Sequence, residues 1–224
     1  MKLYIFWNAI IHRIKSKHHS YNIFLADDVF VNLDSQVLYK KDLMFFLEKS
    51  VDYLVNIRIN KGTGINSPFS VRGCGELVIG KYAAIGKDIL VITSNHAMNF
   101  ANMQVTLQNK LGFTSVHGIG EKVNIGNATW IGDRVTFLPG SSIGDGCIVG
   151  AGSIVTKQFP AFQVIAGNPA RIIRPRFSEA IINQLLDIRW WDWPEAKMKQ
   201  NRVFFETNLL EFCESSVHLK SLIL

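Results

Sequence analysis

The sequence predicts a mainly β fold, a parallel solenoid of stacked triangular coils, and three observations carry that expectation. Between Ile125 and Lys157 a large apolar residue recurs every sixth position, at Ile125, Ile131, Phe137, Ile143, Val149 and Val155. The residue after each is Gly126, Gly132, Leu138, Gly144, Gly150 and Thr156, so glycine dominates. Four residues beyond the apolar positions stand Thr129, Val135, Ser141, Cys147 and Ser153, all small or β-branched. A period of six fits neither an amphipathic helix nor strand alternation, whereas a fixed short period marks coils that stack. Each coil would then hold three short strands, with the apolar sixth residue on the axis and glycine where a Cβ would obstruct the corner.

Taken in order, residues 1–19 place Leu3, Ile5, Phe6, Trp7, Ile10, Ile11 and Ile14 against Lys2, Arg13, Lys15 and Lys17. That pattern predicts a basic amphipathic helix, which could lie on a membrane surface or pack on the protein or a neighbouring subunit. No small-residue cleavage site follows it, so it does not read as a signal peptide. Tyr21 to Tyr39 alternates like strand, with Asp27, Asp28 and Asp34 marking turns. Residues 40–54 carry no clear signal.

The six-residue beat resumes at Ile59, Ile65, Val71, Leu77, Ala83 and Ile89, which predicts four coils or more, about 20 Å of prism at roughly 4.8 Å each. It lapses between Thr93 and Lys122, so a long loop must leave the prism and return; loops of that length in compact domains commonly serve function. Beyond Lys157, Pro160 and the Gly167-Asn168-Pro169 turn end the solenoid. Ser178 is a plausible N-cap for a helix that turns Ile181, Ile182, Leu185 and Leu186 inward. Trp190, Trp191 and Trp193 read as packing, and Pro194 suits the first turn of a last helix. The expected organisation is an N-terminal helix and strand-like region over 1–54, a β-helix over 55–160 with its loop at 93–122, and a helical tail over 161–224.

Composition narrows the function classes. With 48% apolar and 19% charged residues, the 224-residue chain can bury a large core. Twenty-four Lys and Arg against 18 Asp and Glu leave a charge of +6, a surplus suited to phosphorylated ligands or an anionic surface. No nucleic-acid motif accompanies it. Cys74, Cys147 and Cys213 are odd in number and lack metal-ligand spacing, which points to a reducing compartment and away from a disulfide framework or zinc site. Cys147 sits at a small repeat position and reads as core.

Several segments together resemble the left-handed β-helix acetyltransferases: Asn127 to Asp133, Pro139-Gly140, Ile143 to Gly146, Ala151 to Lys157, Ala166 to Ala170 and Trp190 to Pro194. The nearest branch holds the type-B chloramphenicol and streptogramin acetyltransferases and related sugar O-acetyltransferases, and the likeness covers about residues 70–205. The left hand of the helix comes from this resemblance, because parallel crossovers otherwise favour the right. The resemblance also implies acetyl-CoA as co-substrate, no metal, and a homotrimer with its active sites between prisms.

Acetyl transfer needs a base for the acceptor proton, donors for the oxyanion, and both substrates held together. Six histidines are present. His12, His18, His19 and His218 lie towards the termini. His96, in Ser94-Asn95-His96-Ala97, stands where the chain leaves the prism and resembles the family's catalytic base; His117 closes the same loop and is the rival. The resemblance further assigns the backbone N–H of Asp133 to the oxyanion. It assigns Trp130, Ala151, Thr156, Lys157, Arg171 and Arg174 to coenzyme A. The expected activity is O-acetylation of a sugar hydroxyl in bacterial surface polysaccharide or glycolipid assembly, by a cytoplasmic protein that could touch the membrane's inner face through residues 1–19. The alternatives are acetylation of chloramphenicol- or streptogramin-type antibiotics, N-acetylation of a nucleotide-linked amino sugar, and a catalytically silent binding solenoid.

Overall fold

The computed structural model describes residues 11–16, 19–25, 30–33, 36–39, 46–47, 56–66, 68–114, 118–211 and 218–224, and side chains from Asn56 onward. Three parallel sheets form the faces of a prism. Face one stacks His19–Leu25, Asn56–Ile59, Glu76–Ile79, Lys122–Ile125, Ser142–Ile143 and Gln158–Phe159. Face two stacks Phe30–Leu33, Gly64–Asn66, Ala84–Ile85, Trp130–Ile131, Ile148–Val149 and Gln163–Gly167. Face three stacks Phe46–Leu47, Phe69–Arg72, Ile89–Ile92, Thr136–Phe137 and Ile154–Val155.

The beat sets which residues reach the axis. Ile59, Ile79, Ile125, Ile143 and Phe159 form one inward column, and Ile65, Ile85, Ile131, Val149 and Ile165 the second. Val71, Val91, Phe137 and Val155 form the third. None of these fourteen is more than 4% exposed, and burying each aliphatic or aromatic side chain contributes about 1.5–3 kcal/mol. The axis is therefore the main source of stability.

The sequence beat is out of phase in one coil. Leu77, Ala83 and Ile89 were the expected continuation, yet Ile79, Ile85 and Val91 are the partners of Ile59, Ile65 and Val71. Leu77, Ala83 and Ile89 are still buried, two residues earlier in each strand. The cause is an eight-residue step from Val71 to Ile79 where six is the rule. From the second coil on, every change of length falls at this corner between faces three and one. Val91 is followed by the long loop before Ile125, and the step from Val155 to Phe159 is only four residues.

The N-terminal expectation needs correction. Ile11–Ser16 is a strand, paired antiparallel with His19–Leu25, so the helix expected over 1–19 does not form in its second half; residues 1–10 lie outside the described residues. Once Ile11–Ser16 can pair with the first edge of face one, its backbone groups are satisfied by the sheet, and alternation of Ile11, Arg13 and Lys15 with their neighbours is compatible with strand. The prism also begins earlier than residue 55, since His19–Leu25 pairs in parallel with Asn56–Ile59. It ends later than residue 160, because Gln163–Gly167 completes face two before Ala170–Pro175 turns back antiparallel.

Of the helical tail expected over 161–224, the first part is strand, and helices begin after Ser178, with α1 at Glu179–Ile188, where Ile182 and Leu186 are only half-buried, α2 at Glu195–Gln200 and α3 at Arg202–Glu206. The Ser178 side chain accepts from Ile181 N–H, Pro194 directly precedes α2, and Ile181 and Leu185 are buried. With Phe162, Trp191, Phe204 and Leu219 they form a second core against the prism. Among the described residues, no helix is long and apolar enough to cross a membrane.

Candidate active site

Two corners of the prism bend the chain through left-handed residues. At the corner between faces one and two these are Gly62, Tyr82, Ala128, Gly146 and Phe162, with φ from 53 to 71°. At the corner between faces two and three they are Asp88, Arg134 and Gly152, with φ from 56 to 72°. The side chains of Asn127, Asp133 and Asp145 staple successive turns: Asn127 Oδ1 accepts from Lys81 N–H, Asp133 Oδ1 from Lys87 N–H, and Asp145 Oδ1 from Asn127 N–H, at 2.7–2.8 Å. The Asp133 carboxylate is therefore part of the corner's scaffold, and chemistry there falls to the backbone.

Residues that follow the face-two column define a strip along the second corner: Asn66, Gly86, Gly132, Gly150 and Ala166. A Cβ on Gly86 would stand 2.9 Å from Asp133 N, and one on Gly132 would stand 2.7 Å from Ala151 N. Successive coils crowd here, since a Cβ on Gly86 would also stand 2.3 Å from Asp133 Oδ1 and one on Gly150 3.1 Å from the Ala166 methyl, so the strip's own side chains are only those of Asn66 and Ala166. It spans four coil steps, about 19 Å at roughly 4.8 Å each. Ala151 is exposed beside it. Trp130 lies on the outer row of face two, 58% exposed, next to Ala84 and Ile148. At the far end Arg171 pairs with Ala166 and Arg174 with Val164, both exposed. The structure thus gathers Trp130, Asp133, Ala151, Arg171 and Arg174 around one side of the prism.

Thr156 and Lys157 lie elsewhere, exposed at the corner between faces three and one, with Lys157 Nζ 5.5 Å from the centre of the Phe159 ring. His96 belongs to that corner too. It follows Ile89–Ile92 and is exposed on the projecting loop, which carries a short helix at Val105–Lys110. The loop's base is tightly made: Ser94 bridges Gly120, and Glu121 N–H donates to Thr93 O at 2.7 Å. Cys74 N–H donates to Ser94 Oγ and Gly75 N–H to Thr93 Oγ1. A Cβ on Gly118 would fall 1.5 Å from Asn95 O, one on Gly120 2.5 Å from Cys74 O, and one on Gly75 2.1 Å from Glu121 O. The extra length at Gly73–Gly75 is a pedestal on which the His96 loop stands. Periodicity missed it, because glycines in an irregular stretch carry no beat. His117 lies outside the described residues.

Asp133 precedes the face-three strand Thr136–Phe137, whereas Thr93 and then His96 follow its neighbour Ile89–Ile92, paired Leu90 to Thr136. The strand Ile89–Ile92 (4 residues), at about 3.3 Å per residue, puts roughly 13 Å of extended face between the corner after Asp133 and the one at Thr93. One chain holds the two groups on opposite edges.

Sequence reasoning also missed a cavity of about 350 Å³ on the outside of face two, lined by Gly62, Gly64, Asn66, Tyr82 and Ala84 among others. Gly64 and Ala84 are paired neighbours on its floor, and Asn66, whose Nδ2 donates to Ile85 O at 3.1 Å, stands where the cavity meets the glycine strip. Its floor is visible only once register places these residues side by side. Among the described residues no group of three His, Cys, Asp or Glu is placed to hold a metal ion. Burial raises the Cys147 thiol above its ordinary range and lowers the Arg176 guanidinium, which donates to Gly146 O at 2.7 Å. Both act in packing.

Comparison with known proteins agrees with this fold. The family model described as bacterial transferase hexapeptide (six repeats) matches residues 122–157. A probable macrolide acetyltransferase of Lysinibacillus sphaericus is 36% identical over 140 residues, covering 56% of this chain and 74% of that protein. A chloramphenicol acetyltransferase of Morganella morganii is 33% identical over 132 residues, 55% of this chain and 63% of that one. A solved hexapeptide-repeat-containing acetyltransferase of Vibrio cholerae superposes with a TM-score of 0.51 at 21% identity, over 70% of this chain and 74% of its own. The fold is the left-handed parallel β-helix of stacked coils. Within that class, the chain belongs to the hexapeptide-repeat acetyltransferase family. It spans less than two thirds of the length of the chloramphenicol acetyltransferases it matches.

Proposed function

We propose that this protein is an acetyl-CoA-dependent O-acetyltransferase acting on a sugar hydroxyl, and that it works between copies of the chain, as a trimer. The observation that carries the reading is the bare strip from Ala166 to Asn66, which ends at the face-two cavity. A slender chain such as the pantetheine arm fits a strip with few side chains, and Arg171 and Arg174 at its far end suit multiply charged phosphates. The thioester would then reach the cavity where an acceptor can sit.

In the proposed reaction His96 of one copy takes the proton of the acceptor hydroxyl as its oxygen attacks the thioester carbonyl. The backbone N–H of Asp133 in the adjoining copy donates to the oxyanion. The C–S bond then breaks and the departing thiolate recovers the proton from the imidazolium, leaving an acetyl ester and free coenzyme A. The wide spacing of His96 and Asp133 along face three of a single chain supports a site shared between copies. Thr156 and Lys157, on the same corner as His96, would meet the coenzyme of that adjoining copy. A positioned base is worth about 100- to 10,000-fold, and one oxyanion donor about 100- to 1,000-fold.

A cytoplasmic location, with surface polysaccharide or glycolipid as destination, belongs to the same proposal. The second reading is antibiotic acetylation, favoured by the relatives described as chloramphenicol and macrolide acetyltransferases. The deciding experiment follows thiol release from acetyl-CoA with methyl pyranosides, chloramphenicol or a macrolide as acceptors. Turnover with a pyranoside that His96→Ala abolishes is the expected result; turnover only with an antibiotic selects the second reading, and none with any acceptor leaves a binding solenoid.

A further inference from the structure

We infer that Tyr82 is a positioning residue for the acceptor, and that the C-terminal tail, through Trp190, fixes it in place. This rests on the reading that the face-two cavity receives the acceptor. Tyr82 takes the left-handed position of its turn, with φ 55°. That conformation throws its ring across the preceding coil, where a Cβ on Gly62 would stand 2.3 Å from a ring carbon. The ring therefore walls the cavity opposite Asn66, over the floor of Gly64 and Ala84.

Its counterpart three coils on, one beyond Gly146, shows what is unusual. Phe162 occupies the same turn position and lies over Gly146 in the same way, but it is 3% exposed, covered by Trp191 and Phe177. Tyr82 is left half-buried, with one side on Trp190 (centroids 5.4 Å apart) and the other on the cavity. Trp190 is braced in turn by Trp191 at 5.9 Å and Phe205 at 5.3 Å.

The tail also grips the two turns that make this wall. Lys81, next to Tyr82, pairs with Asp192 at 2.9 Å, and Lys61, next to Gly62, pairs with Glu195 at 3.0 Å. Asp192 is held from its other side by Arg189 at 2.9 Å. An aromatic wall over a floor of small residues suits the flat apolar face of a pyranose ring, so the position of the ring sets where the acceptor's hydroxyl points.

The test compares intact wild-type protein with Trp190→Ala, Trp190→Phe and the surface variant Asp192→Asn, using acetyl-CoA with methyl glucopyranoside, methyl galactopyranoside and chloramphenicol as probes. In Trp190→Ala the KM for the acetylated probe is expected to rise about tenfold, while the KM for acetyl-CoA stays within about twofold. Trp190→Phe is expected to restore most of the loss, and Asp192→Asn, which leaves the cores intact, to raise the same KM about two- to threefold. An unchanged probe KM, or both KM values moving together, overturns the role of the tail while leaving the proposed activity standing. Wild-type protein that acetylates none of the probes overturns the reading of the cavity, and this inference with it.

Discussion

Two corners of the same prism have met opposite fates. Between faces one and two, the turn residues are Gly62, Tyr82, Ala128, Gly146 and Phe162, and the tail lies along them, burying Gly146 and Phe162 and half-covering the rest. Between faces two and three, Asp88, Arg134 and Gly152 make the same left-handed turn, those at Arg134 and Gly152 closed by the same kind of hydrogen bond, and all three are exposed. The backbone is equivalent; the side chains are not. An aromatic ring in a left-handed position must find a surface to cover, and it recruits a tail. Charged or absent side chains there leave the corner open to a ligand. The tail buries or half-buries the first corner, and the second is open to solvent.

That contrast can be attacked from either side, beginning with the change of largest effect. His96→Ala should lower kcat by at least about 100-fold while acetyl-CoA still binds, read by thiol release and by calorimetric titration. Undiminished turnover would detach the bare corner from the projecting loop. Next comes Trp191→Ala on the covered side. Trp191 is 1% exposed, and its loss should cost about 3–5 kcal/mol in urea unfolding. Trp191→Phe should cost less, since it keeps a ring and removes an Nε1–H that is buried without a hydrogen-bond partner. A midpoint unmoved by Trp191→Ala would mean that the tail contributes little.

Clothing the bare corner is the converse experiment. Ala151 is exposed, so Ala151→Trp should change the unfolding free energy by no more than about 0.5 kcal/mol yet raise the KM for acetyl-CoA about tenfold. The smallest effect concerns acid. Hydrogen bonds from Lys81 and from Lys61 hold the Asp192 and Glu195 carboxyls below their ordinary range. A depressed carboxyl stabilises the fold above the ordinary carboxylate range and loses that contribution as pH falls through its lowered value. For Lys81 and Asp192 the loss is a few tenths of a kcal/mol, because both side chains are more than a third exposed. It should appear as a shift in tryptophan emission on acidification that is smaller in Asp192→Asn.

Much of this was legible in the residues. A glycine after an apolar sixth position reports a corner with no room for a Cβ, and at Gly86, Gly132 and Gly150 the next coil does stand in the way. His96 was legible as the histidine at the point where the beat lapses. What stayed hidden depends on register across coils. The two extra residues at Gly73–Gly75 shift which apolar residues align, so Leu77 passed for Ile79. The cavity joins Gly64 to Ala84 and the aromatic wall joins Tyr82 to Trp190, contacts between residues far apart in the chain. The strand at Ile11–Ser16 was hidden for a related reason: its partner hairpin decides the conformation that its own apolar pattern assigned to a helix.

From the second coil onward, every lengthening or shortening of the chain is confined to the single vertex that carries His96. Segments exchanged there displace nothing at the other two vertices, where turns keep their spacing whatever grows out beside them. A different outgrowth grafted onto the Gly73–Gly75 pedestal would therefore leave the glycine strip on the opposite edge in register.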